Sequence, residues 1–592
     1  MQEQFAEACG RLIGGAVRAW ARFPLAALSA LVVVTAMLAA VETRSNADWV
    51  WLRLAVSAGF GVPLGVLLVV AGESRAWSRV VLAGLQAAGF GGLVMHWALL
   101  PATSTELPES FWIRTGMVLL ALHLAVAVVA RHRSHAAFWT FNWSLFKRYW
   151  AGVLYAAIFY AGLALALASA VRLFEFTLKP ERYAQLWMLV TFGFHPLWLL
   201  AGVPAVRTGE QAETEPPRAL RFSAGGVLLP LVGVYLAILY PYAVKILATW
   251  EWPDGWVAAP VLGLAVIGLL AVLLVQPMAR EGLWWAEWFA GRWFGRLLVP
   301  MAVLLALAVG VRVGDYGLTE SRYAGYVLAG WLAAMGLYFG TGGAARRSLR
   351  AMPLSLLIVV VVLAAGPWGL FAVAERAQLG RLDDLLAKHG LMEDGVARLK
   401  AQTITGQEFD ELRSILDYLH RRHRSAALYA RFEPWLEKNA ASREQYWGFG
   451  LDALGWMQVK ASEKDEWRVR RLAFTVAPVR INGFTSAEYV ALGREGTEPA
   501  GVSGLQLRLS EDLSALEVRA GGEWTPAAGI NDALEKQWSE AGQETTPVSI
   551  VADVEAAGGE SRRLVVLNAV GGNTHNEHRL RIERIDLLVL AP

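Results

Sequence analysis

Through the first 373 residues the chain repeats one pattern: an apolar run of about twenty residues, then a short interval carrying charge, proline or tryptophan. A hydrocarbon core about 30 Å thick takes about 20 residues of helix, and a helix satisfies its own backbone there, so each run predicts a transmembrane helix. Eleven runs fit, at 23–41, 54–72, 80–100, 111–130, 150–171, 185–206, 223–248, 257–278, 294–311, 323–340 and 353–373. Two carry hints of interruption: the second, with Gly59, Gly61, Pro63 and Gly65, and the sixth, with Gly193, His195 and Pro196.

After Phe371 the pattern changes. Leu412, Ile415, Leu416 and Leu419 fall at helical spacing, and residues 375–440 are expected to be a helical connector. Beyond it the period becomes two. Leu505, Leu507 and Leu509 alternate with Gln506 and Arg508. Similar stretches recur at Ala473–Ile481, Leu516–Val518, Val548–Val554, Leu564–Leu567 and Leu580–Leu590, with turns expected at Ala520-Gly521-Gly522 and Gly571-Gly572-Asn573. The expected fold is therefore a polytopic α-helical membrane domain, 1–374, then a soluble α+β tail made of the connector, 375–440, and a β-rich, β-sandwich-like domain, 441–592.

Composition sharpens this division. The chain is 55% hydrophobic and 18% charged. Residues 1–375 hold 27 Lys and Arg against 19 Asp and Glu, net +8, while residues 376–592 hold 27 against 32, net −5. Neither balance points to nucleic acid. The first part also carries 20 of the 26 tryptophans, which favour lipid headgroups. The single cysteine, Cys9, excludes an intramolecular disulfide and a cysteine-built zinc or iron–sulfur site. Arg11, Arg18 and Arg22 precede the first run and Glu42-Thr43-Arg44 follow it, so an uncleaved signal anchor is expected.

Lys and Arg stay on the cytoplasmic side of short loops. The N-terminus and every second connection hold 18 of them, against 7 in the alternate connections. That bias predicts a cytoplasmic N-terminus in a bacterial inner membrane. An odd number of spans then places the tail in the periplasm.

The outer connections hold the candidate chemistry. "VRVGDYGLTESRY", Val311 to Tyr323, carries Arg312, Asp315, Glu320 and Arg322; Gly314 and Gly317 permit a turn, Thr319 can cap the next helix, and Glu320 falls in its first turn. "VRLFEFTLKPERYAQLW" and "VETRSNADWVW" are also charged, and "YPYAVKILATWEWPDGWV" places Lys245, Glu251 and Asp254 among Trp250, Trp252 and Trp256. Lys245 lies within an apolar run, where an ammonium either snorkels or pairs, here with Glu251 or Asp315. The candidate binding surface is Lys245, Glu251, Asp315, Glu320 and Arg322. Capping, snorkelling and an aromatic belt are the plainer account of the same residues.

Elsewhere the signals are thin. His96, His123 and His195 are single histidines without a carboxylate one turn away, which suits structure better than proton relay. Arg131 to His135, "RHRSH", is too cationic for a metal, and His575 and His578 in "NTHNEHR" have no third ligand nearby. Gly61 to Gly65 and Gly336 to Gly340 match GxxxG, which suits close helix crossings. No hydrolase elbow, zinc-protease, phosphate-loop or dinucleotide motif occurs, and no cofactor or metal is expected.

"ERYAQLWMLV", "ILYPYAVKILATWEWPDGWV", "VRVGDYGLTESRYAGYVLAGWL" and "GPWGLFAVAERAQLGRLDDLLAKHGLM", in that order, resemble the bacterial DUF4153 membrane proteins over residues 180–420. The resemblance implies a polytopic membrane protein and carries no activity. The expected function is non-enzymatic, transporter-like or sensor and scaffold, with the lipid bilayer and an envelope protein or small molecule as partners. The alternative is a membrane glycosyltransferase with Glu42 or Asp48 as its acid.

Overall fold

The structure is a computed structural model. It describes residues 10, 14–43, 48–101, 107, 109–130, 134–175, 177–206, 218–252, 257–341, 347–436, 449–461, 470–472, 486–493, 500–502, 505–510, 515–520, 523–527, 529–534, 551–555, 561–572 and 581–591. Cys9, Asp254, Trp256, His575, His578, the Ala473–Ile481 stretch and most of "RHRSH" lie outside these. The chain divides into two compact units, 1–388 with 415–449, and 389–414 with 450–592.

In the first unit, ten helices among the described residues are long and apolar enough to cross a membrane: α1 (Pro24–Thr43), α2 (Trp49–Arg75), α3 (Arg79–Leu99), α4 (Ser110–Val129), α5 (His135–Phe174), α6 (Glu181–Ala201), α7 (Leu220–Thr249), α8 (Ala258–Arg280), α9 (Trp284–Gly314) and α10 (Glu320–Thr341). Their burial separates inner from outer helices. α8 is apolar all round and eleven of its 23 residues are buried, so one broad face of it packs inside. α3 is comparably apolar but has no buried residue, with Val80 81% and Leu99 76% exposed. Apolar surface on this scale is unstable against water and stable against lipid, which marks a membrane protein.

Small residues set the tightest crossings. A Cβ at Gly295 of α9 would lie 2.5 Å from the Gly340 nitrogen and 2.6 Å from the Gly336 oxygen of α10. The Gly336 to Gly340 pair is thus a backbone-to-backbone contact. Gly65 meets the backbone of Ala26 on α1 at 2.6 Å, and Gly61 meets Ser29. That corrects the expected interruption of α2, which is one continuous helix with Pro63 inside it. Its glycines serve close approach to α1. In α6, by contrast, the backbone takes a π turn over Leu189–Phe194, just before His195 and Pro196.

The eleventh run is shorter than expected. α11 (Ala351–Ala364) has 14 residues, about 21 Å of helix, and stops before Gly366-Pro367. At one end Arg350 Nη2 donates to the Val128 carbonyl at the close of α4, 2.7 Å; at the other, Tyr323 near the start of α10 donates to the Trp368 carbonyl, 3.1 Å. α11 and its short continuation therefore run from one end of the bundle to the other.

α12 (Leu370–Lys388) follows, but the connector is not helical throughout. Met392–Glu393 (β1) and Val396–Ala397 (β2) form a hairpin, and Gln402–Ile404 (β3) pairs in parallel with Val459–Ala461 (β4). Asp394 and Gly395 have φ of 49° and 77°, the left-handed pair that a two-residue hairpin turn needs. α13 (Gly406–Tyr418) then restores the helix.

The remaining strands form two antiparallel sheets. One has the order β10 (Thr525–Pro526), β9 (Leu516–Arg519), β8 (Leu505–Leu509), β7 (Ala500–Val502). The other has β11 (Val551–Glu555), β12 (Ser561–Gly572), β13 (Arg581–Ala591), β6 (Ser486–Gly493), with β5 (Arg470–Leu472) also on β12. Alternation decides which faces are buried. Leu505, Leu507, Leu509, Leu516 and Val518 of the first share one core with Leu564, Val566, Ile585, Leu587 and Val589 of the second. Gly571 and Gly572, expected in a turn, end β12 instead.

Candidate functional site

The stretch that joins α9 to α10 is where the chain brings unlike charges together. Gly317 has φ 75° and its N–H donates to the Val313 carbonyl, which ends α9. The carbonyls of the turn are then taken up. Arg322 Nη1 donates to the Gly317 oxygen at 2.8 Å, and Gln378 Nε2 of α12 to the Leu318 oxygen at 3.0 Å. Thr319 accepts the first bond of α10 from the Tyr323 N–H, 2.9 Å. Glu320 therefore opens the helix, as expected, and it is also buried.

Its partners come from α13. That helix continues as a π turn over Leu419–His423 and closes on Arg424, φ 46°. Ser425 begins α14 (Ala426–Arg431), its hydroxyl accepting from the Leu428 N–H at 3.1 Å and donating to Glu375 Oε1 of α12 at 2.6 Å. Tyr418 donates to Glu320 Oε2 at 2.7 Å. His423 Nε2 lies 3.1 Å from Glu320 Oε1, and Nδ1 lies 4.0 Å from Glu375 Oε2, with the His423 and Glu320 side chains 3% and 9% exposed. One imidazole thus stands between two carboxylates. Phe371 closes one side of it with an edge contact, and the Arg114 guanidinium lies 4.7 Å over the Phe371 ring. Burial, and then the charge of Glu320, push the Tyr418 phenol well above its usual value. It remains a neutral donor.

Further ties hold the same segment. Arg422 pairs with Glu109 at 2.9 Å, and Arg431 grips Asp383 of α12 through Nε at 2.7 Å and Nη2 at 2.6 Å. The second histidine, His420, is fully buried, stacked on Phe449 at 4.6 Å and bonded through Nδ1 to Tyr429 at 3.0 Å. These groups hold two pieces of chain together. Ser425 is committed to the helix start and to Glu375, and among the described residues no group of His, Asp and Glu is arranged to take a metal.

The other residues of the expected surface behave differently. Lys245 and Glu251 are exposed, and among the described residues Lys245 has no ion pair; the Glu251 N–H donates to Thr249. Asp315 follows Gly314 at the end of α9, still in helical backbone, with its side chain outside the described residues. Glu320 and Arg322 both lie at the Gly317 to Thr319 turn, Arg322 through its bond to the Gly317 carbonyl. His96 is bonded to Ser57, 2.8 Å, and His123 to the Leu119 carbonyl of its own helix, 2.7 Å, which are structural roles. Glu42, the acid of the alternative function, accepts from Arg182 at 3.0 Å and Gln185 at 2.7 Å.

His423, Tyr418 and Glu375 did not stand out in the sequence. A signal existed: Leu412, Leu416 and Leu419 mark the buried stripe of α13, and Tyr418 and His423 border or continue it.

An uncharacterized protein of Pasteurella multocida (strain Pm70), PM1469, is similar, 28% identical over 172 residues, which is 28% of this chain and 28% of that protein. The chain thus matches little more than a quarter of that relative's length. No solved structure matches. The profile of the family described as a domain of unknown function, DUF4153, matches residues 25–399, which includes Glu320 and Glu375 and ends before Tyr418. That stretch is more than half of the sequence, and the chain belongs to the DUF4153 family.

Proposed function

We propose that the protein is a non-enzymatic sensor or scaffold of the bacterial inner membrane, in which the segment after α13 is clamped to the periplasmic ends of the spans. The observation that carries this reading is the Glu320 carboxylate, buried at the head of α10 between the Tyr418 hydroxyl and the His423 ring. A buried charge is costly alone and is held by its partners, so such a contact makes docking of the segment all-or-none. An eleven-crossing reading supports the sidedness: α11 is short, but its ends meet the end of α4 and the start of α10, and counted as a crossing it leaves Glu320 and residues 415–436 on the side away from the arginine-rich loops. The two sheets beyond it are read as a β-sandwich that presents a periplasmic surface to an envelope protein or small molecule.

Limited proteolysis of the full-length protein in permeabilised cells tests the clamp. Glu320→Lys sets a cation beside His423, and Glu320→Gln keeps the shape without the charge. Cleavage between α12 and α14 is expected to speed up by about tenfold or more in Glu320→Lys and by less in Glu320→Gln. Unchanged digestion in both, with normal elution in detergent, contradicts the clamp.

A further inference from the structure

Between α4, α5, α8, α10 and α11 lies a cavity of about 430 Å³, lined by Leu124, Phe138, Leu269, Leu273, Leu332 and Leu356 among others. The donor of its one amide, on Asn142, is already used: Nδ2 donates to the Phe138 carbonyl at 3.0 Å and the Ala127 carbonyl at 3.2 Å. A polar solute would lose its water here for nothing, whereas hydrocarbon loses little. Val266 is part of the lining and 68% exposed, so the cavity opens on the lipid-facing surface of the bundle.

Two arginines lie beyond one end of the lining. Arg280 closes α8 two turns beyond Leu273 on the same stripe, and its Nε and Nη2 are buried with no hydrogen-bond partner. Arg350 precedes α11; it donates through Nη2 to Val128, next to the lining residue Ala127, and its Nε is also buried and unpartnered. Buried guanidinium N–H groups without acceptors are costly, and an anion at this position would satisfy them.

We propose that an anionic phospholipid of the cytoplasmic leaflet binds here, with one acyl chain in the cavity and its phosphate on Arg280 and Arg350. The apolar chamber takes the chain and the open guanidinium groups select the headgroup. This site is separate from the Glu320 clamp and stands without it.

Native mass spectrometry of the full-length protein, stripped of lipid in detergent and then given phosphatidylglycerol or phosphatidylcholine, tests the proposal. The wild type is expected to retain phosphatidylglycerol about tenfold better than phosphatidylcholine. Arg280→Gln is expected to remove that preference and Arg280→Lys to keep part of it, while Val266→Trp, which fills the cavity from its exposed wall, is expected to lower retention of both lipids. Equal retention of the two lipids by the wild type would overturn the proposal, as would full retention in Val266→Trp. Displacement of phosphatidylglycerol by glycerol 3-phosphate at equal concentration would overturn the acyl-chain part, leaving only a free phosphate-ester site.

Discussion

Glu320 is the first residue of α10, where a carboxylate offsets the open N–H groups of a helix start, and it is also buried, where a carboxylate is costly without partners. The first role was legible from "GLTESRY"; the second was not, because Tyr418 is 98 positions away and only folding brings it near. Lys245 is simpler. Its place in an apolar run left snorkelling or pairing, and its side chain is exposed, as snorkelling requires. The phenol of Tyr418 gives a test at this scale. Its proton is held more tightly folded than unfolded, so the stability it contributes is whole below about pH 10 and is lost as pH rises past the unfolded value. Tyr418→Phe leaves a buried acceptor without its donor, which costs about 1–3 kcal/mol. Thermal unfolding of the purified protein should show this loss at pH 7 and a weaker alkaline transition in the variant than in the wild type. An identical alkaline limb in the two would separate Tyr418 from the clamp.

The helices themselves were legible because twenty apolar residues in a row leave few alternatives, and ten of the eleven predicted runs correspond to helices of spanning length. α11 departs because Gly366-Pro367 breaks a run that hydropathy alone joins to Trp368 and Phe371. In the connector, the Asp394-Gly395 turn interrupts an otherwise helical pattern, and that dipeptide was the available signal. Glycine spacing predicts stability at this scale. Gly336→Val would press a side chain against the Gly295 carbonyl, 2.7 Å from an ideal Cβ, and backbone cannot swing aside. A loss of about 1–3 kcal/mol in thermal unfolding is expected. At Gly330 of the same helix a Cβ meets nothing within 4 Å, so Gly330→Ala should be neutral or stabilising by up to about 1 kcal/mol. Equal effects at the two glycines would refute the close crossing.

For the molecule as a whole, the ion pairs fall at helix ends that the charge bias divides into two sets. Arg22 binds Glu73 and the Val203 carbonyl, and Arg221 binds Glu281, all near ends that the arginine bias assigns to the cytoplasm. Glu42 meets Arg182, and Glu109 meets Arg422, near the opposite ends. The sequence could not supply these pairs, since they join distant loops. The single cysteine makes the central claim directly measurable. In the wild type, Cys9 reports the N-terminus; in Cys9→Ser with Glu433→Cys, the exposed Glu433 position reports the clamped segment. Each is treated with a membrane-impermeant maleimide, in cells whose outer membrane is permeabilised and again after lysis. The account predicts that position 433 labels before lysis and Cys9 only after it. Labelling of position 433 only after lysis would place the segment and Glu320 in the cytoplasm, and would contradict both the eleven crossings and the periplasmic clamp.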